Sequence, residues 1–386
     1  MIPDRRALGV AAAGFCTFVN LYATQSILSV LAEAFGVSRP RTGLTVTAPL
    51  LAVACVAPFV GSISDRLGRK CLIVGAAGAL VLPTLLCASA ASLGWLLLWR
   101  FLQGLLMPFI FAITVAYIAD ECEGGAAVRL TGTYAIGTIL GGFFGRFLSG
   151  YATQWAGWRT AFLLLGGITA GFAAATMILL PPERRFRPER GLAAALGSFA
   201  EHLSNPRLIA TYMVGFTVLF SIVATFTYVN FLLAAPPYGL GPAQLGDVFV
   251  VYLAGAVTTP LATRMAVRVG RRAALIFSAG LAIAGLLLTL LPSFAGIMAG
   301  LVLIMCGMFF EQTLAMSYIG VAARRARSTA VGLYVTCYYI GGSLGGILPA
   351  PVWQRSGWTG CVLLVLLVQL ALTGLALRFW REGAPA

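Results

Sequence analysis

Apolar residues in this chain run on in stretches of about 18 to 26, each long enough for a helix to cross a hydrocarbon core of roughly 30 Å. Short polar or arginine-bearing connections separate them. The pattern predicts twelve such helices. Six lie in the first half, at 8–32, 42–63, 72–91, 95–118, 130–151 and 160–180, and six in the second, at 208–233, 246–263, 273–291, 296–320, 329–349 and 359–379. The basic start, Met1 to Arg6, runs straight into the first stretch with no small-residue cleavage pattern, so that stretch is kept as a helix.

Composition agrees with this pattern. Of 386 residues, 60% are hydrophobic and 10% charged, and the mean hydropathy is +0.93, which leaves too little polar surface for a water-soluble chain of this size. The net charge of +14 raises the question of nucleic acid, but the position of the charges decides against it. Of 26 basic residues, Arg39, Arg41, Arg159 and Arg355 fall in one set of connections and Arg100 and Arg146 within apolar stretches; the other 20 lie on the side of the termini. Orientation signals belong in such connections, so both termini are expected in the cytoplasm of a bacterial inner-membrane protein. The eight cysteines have no CxxC spacing and read as small packing residues.

An internal repeat divides the chain. Gly132, Tyr134, Gly141, Gly142, Gly145, Gln154, Gly157 and Trp158 recur 200 residues on as Gly332, Tyr334, Gly341, Gly342, Gly345, Gln354, Gly357 and Trp358. Pro58, Arg66, Gly68 and Arg69 echo in Pro260, Arg268, Gly270 and Arg271, and Thr17–Leu21 echoes in Thr227–Phe231. Six helices return a chain to its starting side, so the halves share one orientation and are related by an axis along the membrane normal. The expected fold is an all-α membrane protein of two pseudo-symmetric six-helix bundles, at 1–180 and 208–386. A cytoplasmic linker at 181–207 joins them, with a surface helix around Gly191 to Leu203. Two halves facing across a seam suit alternating access to a site near the midplane.

Between the second and third stretches lies Gly61-Ser62-Ile63-Ser64-Asp65-Arg66-Leu67-Gly68-Arg69-Lys70. It resembles the signature loop of the major facilitator superfamily, G-x-x-x-D-R-x-G-R-K. Arg100-Phe101-Leu102-Gln103-Gly104 resembles that family's R-x-x-Q-G motif. Gly137, Gly141, Gly142 and Gly145 resemble its glycine-rich antiporter motif, although Phe143 stands where the usual proline follows. The resemblance covers essentially the whole chain and looks most like the bacterial drug-proton antiporter and sugar-efflux group. It implies a conformational switch formed by Gly61, Asp65, Arg66, Gly68, Arg69 and Lys70. Gly61 would allow a close helix approach. Asp65 would oppose the positive end of helix 11 near Ser328-Thr329. Plain topology accounts for part of the basic cluster.

An ionisable group at membrane depth costs about 2.5–3.5 kcal/mol even on the lenient scale, and three such residues stand out. Glu311 is expected near the middle of the tenth helix, where burial disfavours the charged form of a carboxyl. It is read as a proton carrier, as a fixed ion-pair or hydrogen-bond partner, or as a cation ligand. Arg100 is read either as the electrostatic partner of a proton site, the role the family motif implies, or as a snorkelling arginine. Arg146 could pair with a carboxylate, bind an anionic solute or anchor a helix. The cavity candidates are Asn20, Tyr22, Gln25, Gln103, Tyr228, Asn230, Gln312, Tyr338 and Tyr339, each weighed against a helix–helix hydrogen bond. The echo of Asn20 in Asn230 suggests two symmetric positions.

Met305, Met308 and Met316 beside Cys306 read as packing, and no metal site is expected. No GxxxxGK[ST] loop is present to hold ATP, and no cofactor or clustered catalytic set is expected. The chain reads as a secondary active transporter, not an enzyme: a monomer surrounded by lipid that moves a small-molecule substrate, with protons as the coupling ion for efflux. The alternative is uptake or facilitated diffusion of a metabolite or metal ion.

Overall fold

The computed structural model describes residues 4–183, 201–323 and 327–380, with the side chains of Ser62, Asp65, Arg66, Ala256, Arg327 and Ser328 outside that description. The surface helix expected around Gly191 to Leu203 therefore falls outside it except for its last turn.

Every regular element among the described residues is helical. In chain order they form α1 (Arg5–Phe35), α2 (Leu44–Leu67), α3 (Arg69–Ala88), α4 (Leu93–Glu121), α5 (Gly124–Ala156) and α6 (Trp158–Leu179). Then come α7 (Pro206–Leu233), α8 (Pro242–Val269), α9 (Arg271–Leu288), α10 (Phe294–Ala322), α11 (Arg327–Ile347) and α12 (Pro349–Phe379). Eleven helices among the described residues are long and apolar enough to cross a membrane. The one left out is α5, which at 33 residues is long enough. Its glycines, threonines and Arg146 dilute its hydropathy. Burial along α1 reaches 72% and along α7 83%, against 33% for α6 and α12. On those two outer helices Leu163, Ile178, Leu363 and Leu367 stay exposed, as a surface in contact with lipid permits. Cys16, Cys87, Cys122 and Cys361 are buried as expected of packing residues, whereas Cys55 and Cys71 are exposed.

The chain folds as two compact units. One comprises Met1–Leu192 with Gly239–Phe249, and the other Ala193–Tyr238 with Val250–Ala386. Within each unit the repeated glycines have two distinct physical roles. The first is close approach. A Cβ on Gly137, Gly141 or Gly145 would lie within 2.7 Å of the carbonyl oxygen of Ala11, Phe15 or Val19 respectively, so α5 lies backbone to backbone against α1. In the second unit Gly341 and Gly345 approach the carbonyls of Phe216 and Phe220 in the same way, within 2.5 Å, and join α11 to α7. Tyr134 packs over Gly14, and its repeat Tyr334 packs over Gly215. Where lipid is as apolar as leucine, such backbone contact is a main source of helix association.

The second role is conformational. Gly68 and Gly270, with φ of 90° and 84°, turn α2 into α3 and α8 into α9; Gly157 and Gly357, with φ of 84° and 58°, turn α5 into α6 and kink α12. A side chain would strain these positions whatever the surrounding space. Ser92 and Ser293 repeat a third device, since each accepts a hydrogen bond from the first turn of α4 or α10.

The packing also fixes the register of the repeat, and it corrects one expectation. Phe15 and Phe216, which meet equivalent glycines, are 201 residues apart, whereas Asn20 and Asn230 are 210 apart. Asn230 thus sits nine residues, or roughly 13 Å of helix, beyond the position equivalent to Asn20. Its match with Asn20 is a resemblance of two pentapeptides, not a symmetric pair.

Adding a methyl group separates the close-approach glycines from the spacious ones. Gly145→Ala is expected to lower the thermal unfolding midpoint in detergent, since overpacking costs about 1–3 kcal/mol. Gly132→Ala, with nothing among the described residues within 4 Å of the new atom, is expected to leave the midpoint unchanged or raise it. Equal midpoints for the two variants would contradict the packing role.

Candidate functional site

Helix α1 breaks after Leu21; a 3-10 turn spans Gln25–Ile27 and the α-helix resumes at Leu28. A helix end leaves carbonyls without intrahelical donors, and in a membrane no water is at hand to supply one. Arg100 of α4 supplies the donors. Its Nη1 donates to Asn20 O at 2.7 Å, its Nη2 to Leu21 O at 2.5 Å and its Nε to Thr45 O at 3.0 Å. Nη1 also meets Gln103 Oε1 at 2.7 Å. The residue is fully buried, so the snorkelling reading is corrected: the guanidinium turns inward because the broken helix needs its donors. From Gln103 the chain of hydrogen bonds continues through Thr84 Oγ1 at 2.7 Å to Asn20 Oδ1 at 3.2 Å. Asn20 Nδ2 then donates to Thr169 Oγ1 at 2.8 Å. Four helices are thereby tied together, and Asn20 and Gln103, read as cavity candidates, act as helix–helix links.

Arg146 of α5 is also fully buried. Its Nε donates to Gln25 Oε1 at 2.7 Å and its Nη1 to Gly142 O, one turn back, at 2.6 Å. The guanidinium carbon lies 4.5 Å from the ring centroid of Tyr22 and 4.6 Å from that of Phe249. Both rings are within reach of a cation–π attraction. The same break in α1 brings Tyr22 and Gln25 here, and Ser26 Oγ donates to the Arg146 carbonyl at 2.7 Å. Phe249 arrives on the first turns of α8. These dock on α5 through Gln154 Oε1, which accepts from Ala243 N at 3.1 Å, and through Gly150, whose absent Cβ makes room for Pro242 O.

In the second unit Glu311 of α10 is buried and accepts a hydrogen bond on Oε1 from Gln369 Nε2 of α12. Gln369 Nε2 also lies 3.5 Å from Thr373 Oγ1. Among the described residues no basic side chain pairs with Glu311, so of its three readings the hydrogen-bond link to another helix is the one with a visible partner. The other candidates here divide. Tyr228 donates to Gly346 O at 3.0 Å and packs against Phe231 and Trp353, a helix anchor. Asn230 Nδ2 donates to Phe226 O, one turn back. Tyr338 stacks on Tyr334 and meets Tyr339 edge to face. Tyr338 and Gln312 are half-buried, whereas Tyr339 is buried.

At the loop between α2 and α3, the side chains of Asp65 and Arg66 lie outside the described residues. The close helix approach expected at Gly61 has no partner among the described residues. Gly61 is exposed and nothing among the described residues comes within 4 Å of a Cβ built on it. Arg69 Nε instead pairs with Asp120 Oδ2 of α4 at 3.0 Å, and Arg69 Nη1 donates to Ser64 Oγ. The Glu183 carboxylate accepts from the backbone N–H groups of Arg69 and Lys70, at 3.1 and 3.2 Å, and so caps the positive end of α3.

Comparison with known proteins decides the family. The Major Facilitator Superfamily pattern matches residues 10–346. The chain belongs to this superfamily. The MFS-type transporter YybF of Bacillus subtilis is 32% identical over 376 residues, 95% of this chain and 92% of its own length. The inner membrane transport protein YnfM of Escherichia coli is 32% identical over 357 residues, 92% and 86% of the two lengths. Among solved structures, a bacterial homolog of the human lysosomal transporter Spinster, in an inward-facing and occupied conformation, superposes with a TM-score of 0.79 at 15% identity over 100% of both chains. The nucleoside transporter NupG gives 0.77 at 14% identity, over 97% of this chain and 100% of its own. These structures show the fold, and the named relatives show membrane transport as the function of this superfamily member.

Sequence reading missed Thr84, Thr169, Phe249, Asp120, Glu183, Gln369 and Thr373. Gln369 carried a signal, as a lone amide in the run Leu366-Leu367-Val368-Gln369-Leu370. Thr169 holds the position equivalent to Gln369 at the repeat offset of 200. Phe249 and Glu183 carried none, since only tertiary packing gives them partners.

Arg100→Lys is expected to destabilise the protein strongly, because one ammonium cannot address the adjacent Asn20 and Leu21 carbonyls of α1 and Thr45 O of α2 together. Each carbonyl left bare costs about 1–3 kcal/mol. Thermal unfolding of the purified variant reads this, and a wild-type midpoint would show that Arg100 does not hold the break in α1.

Proposed function

We propose that this superfamily member is a secondary active transporter that exports a small organic solute across the bacterial inner membrane in exchange for protons. It works as a monomer by alternating access between two six-helix bundles, at 1–180 and 208–386, with the linker 181–207 and both termini cytoplasmic. The observation that carries the proton coupling is Glu311, a buried carboxyl midway along α10 whose hydrogen-bond partner is a neutral amide. An ionisable group kept at that depth without a countercharge suits a carrier better than a fixed ion pair. Arg100, occupied with carbonyls, would set the shape of α1 beside the solute path rather than trade protons.

The solute would meet the faces bearing Tyr22, Gln25 and Arg146 in the first unit and Gln312, Tyr338 and Tyr339 in the second. A buried guanidinium flanked by aromatic rings suits a solute with a carboxylate or an aromatic ring. The loop Gly61–Lys70 would serve as the conformational switch, with Asp65 opposing the start of α11, Gly68 making the turn into α3, and Arg69 and Lys70 held by Glu183 and Asp120.

Inverted vesicles carrying the protein test the coupling. A transported solute is expected to collapse a preset pH gradient; Glu311→Gln is expected to abolish that collapse while leaving solute exchange intact. Full proton-driven transport in the variant would remove Glu311 from the mechanism, and failure of a broad solute panel to dissipate the gradient would count against proton antiport.

A further inference from the structure

The hydrogen bonding around Glu311 is incomplete in a specific way. Gln369 Nε2 uses its donors on Glu311 Oε1 and on Thr373 Oγ1. The remaining acceptors, Glu311 Oε2 and Gln369 Oε1, are both buried and have no hydrogen-bond partner among the described residues. Two buried acceptors left bare cost about 1–3 kcal/mol each, and an ionised carboxylate there would add an uncompensated charge. Turning the amide over does not help, since its oxygen would then face Glu311 Oε1, acceptor against acceptor.

We infer that Glu311 and Gln369 form a cyclic acid–amide pair, in which Glu311 Oε2 carries a proton donated to Gln369 Oε1 while Gln369 Nε2 donates to Glu311 Oε1. One hydrogen then satisfies both bare oxygens and removes the charge. Gln369 becomes a positioning residue: it recognises the neutral acid through both arms and the ionised form through one only, so it favours the proton-loaded state.

The surroundings are consistent with a neutral site. From α11 the Tyr334 phenol lies within electrostatic reach of Glu311, and its hydroxyl is also buried with no partner among the described residues. From α12 come only Gln369 and Thr373, which do not titrate. No basic side chain of α7, α8 or α9, the other helices against α10, pairs with Glu311 among the described residues. The equivalent place in the first unit is filled differently. Thr169, at the position of Gln369, bonds the neutral Asn20, so that place in the first unit holds no acid–amide pair.

The pair's importance for transport rests on the coupling role proposed for Glu311, but its protonation can be read without any transport. Infrared spectra of the purified protein at pH 7, with glutamate carboxyl carbons isotopically labelled, are expected to show a hydrogen-bonded carboxylic acid carbonyl band that Glu311→Gln removes. Gln369→Leu is expected to move that band to higher frequency, as the acid loses its partner. A wild-type spectrum with no acid band assignable to Glu311 would overturn the inference even if the Gln369 variant fails to fold. A Glu311 band unmoved in a folded Gln369→Leu protein would also overturn it. An acid band as described, in a protein that dissipates no pH gradient, would instead refute the coupling role and leave the pair standing.

Discussion

Hydrocarbon offers no hydrogen bonds, and much of this molecule follows from where it places the polar groups that must live there. The break in α1 opens the carbonyls of Asn20 and Leu21 to other helices, with Asn20 O also accepting from Ala23 N at 3.3 Å, and the fully buried Arg100 reaches both from α4 and Thr45 O besides. A charge that would be costly alone thus becomes the cap of a helix end. It also fixes where Tyr22 and Gln25 turn toward Arg146. Remove the guanidinium and the break, the polar chain to Thr169 and the setting of Arg146 would all lose their common support.

The two units solve the packing problem alike and the polar problem differently. Both lay a glycine-bearing helix, α5 or α11, backbone to backbone against α1 or α7, and both reverse direction at positive-φ glycines. The first unit then closes its interior with neutral amides and hydroxyls around two arginines, Arg100 and Arg146. In the second, Ile304 and Leu286 stand near the positions equivalent to Gln103 and Thr84, and the buried polar pair is Glu311 with Gln369. A locked network suits a scaffold. A carboxyl with one neutral partner suits a group that gains and loses a proton, which is the asymmetry the proposed antiport needs.

Much of this fold was legible in the sequence because hydropathy and helix length are set by the solvent. The weak stretch was α5, whose glycines lower hydropathy for the same reason that they permit contact with α1. The repeat itself was legible, but not its physics, since Gly145 and Gly157 look alike on paper while one clears a carbonyl and the other supplies a backbone angle. The echo of Asn20 in Asn230 misled because five similar residues do not fix a register. Arg100, Arg146 and Glu311 stood out as charges in apolar runs. Their partners did not, being carbonyls, rings and single amides brought from other helices.

The central claim is that one carboxyl in the second unit carries the proton. Solute added to the purified protein in weakly buffered detergent solution is expected to release protons to the medium, and Glu311→Gln, still binding solute, is expected to release none. Equal release from the two proteins would contradict the account.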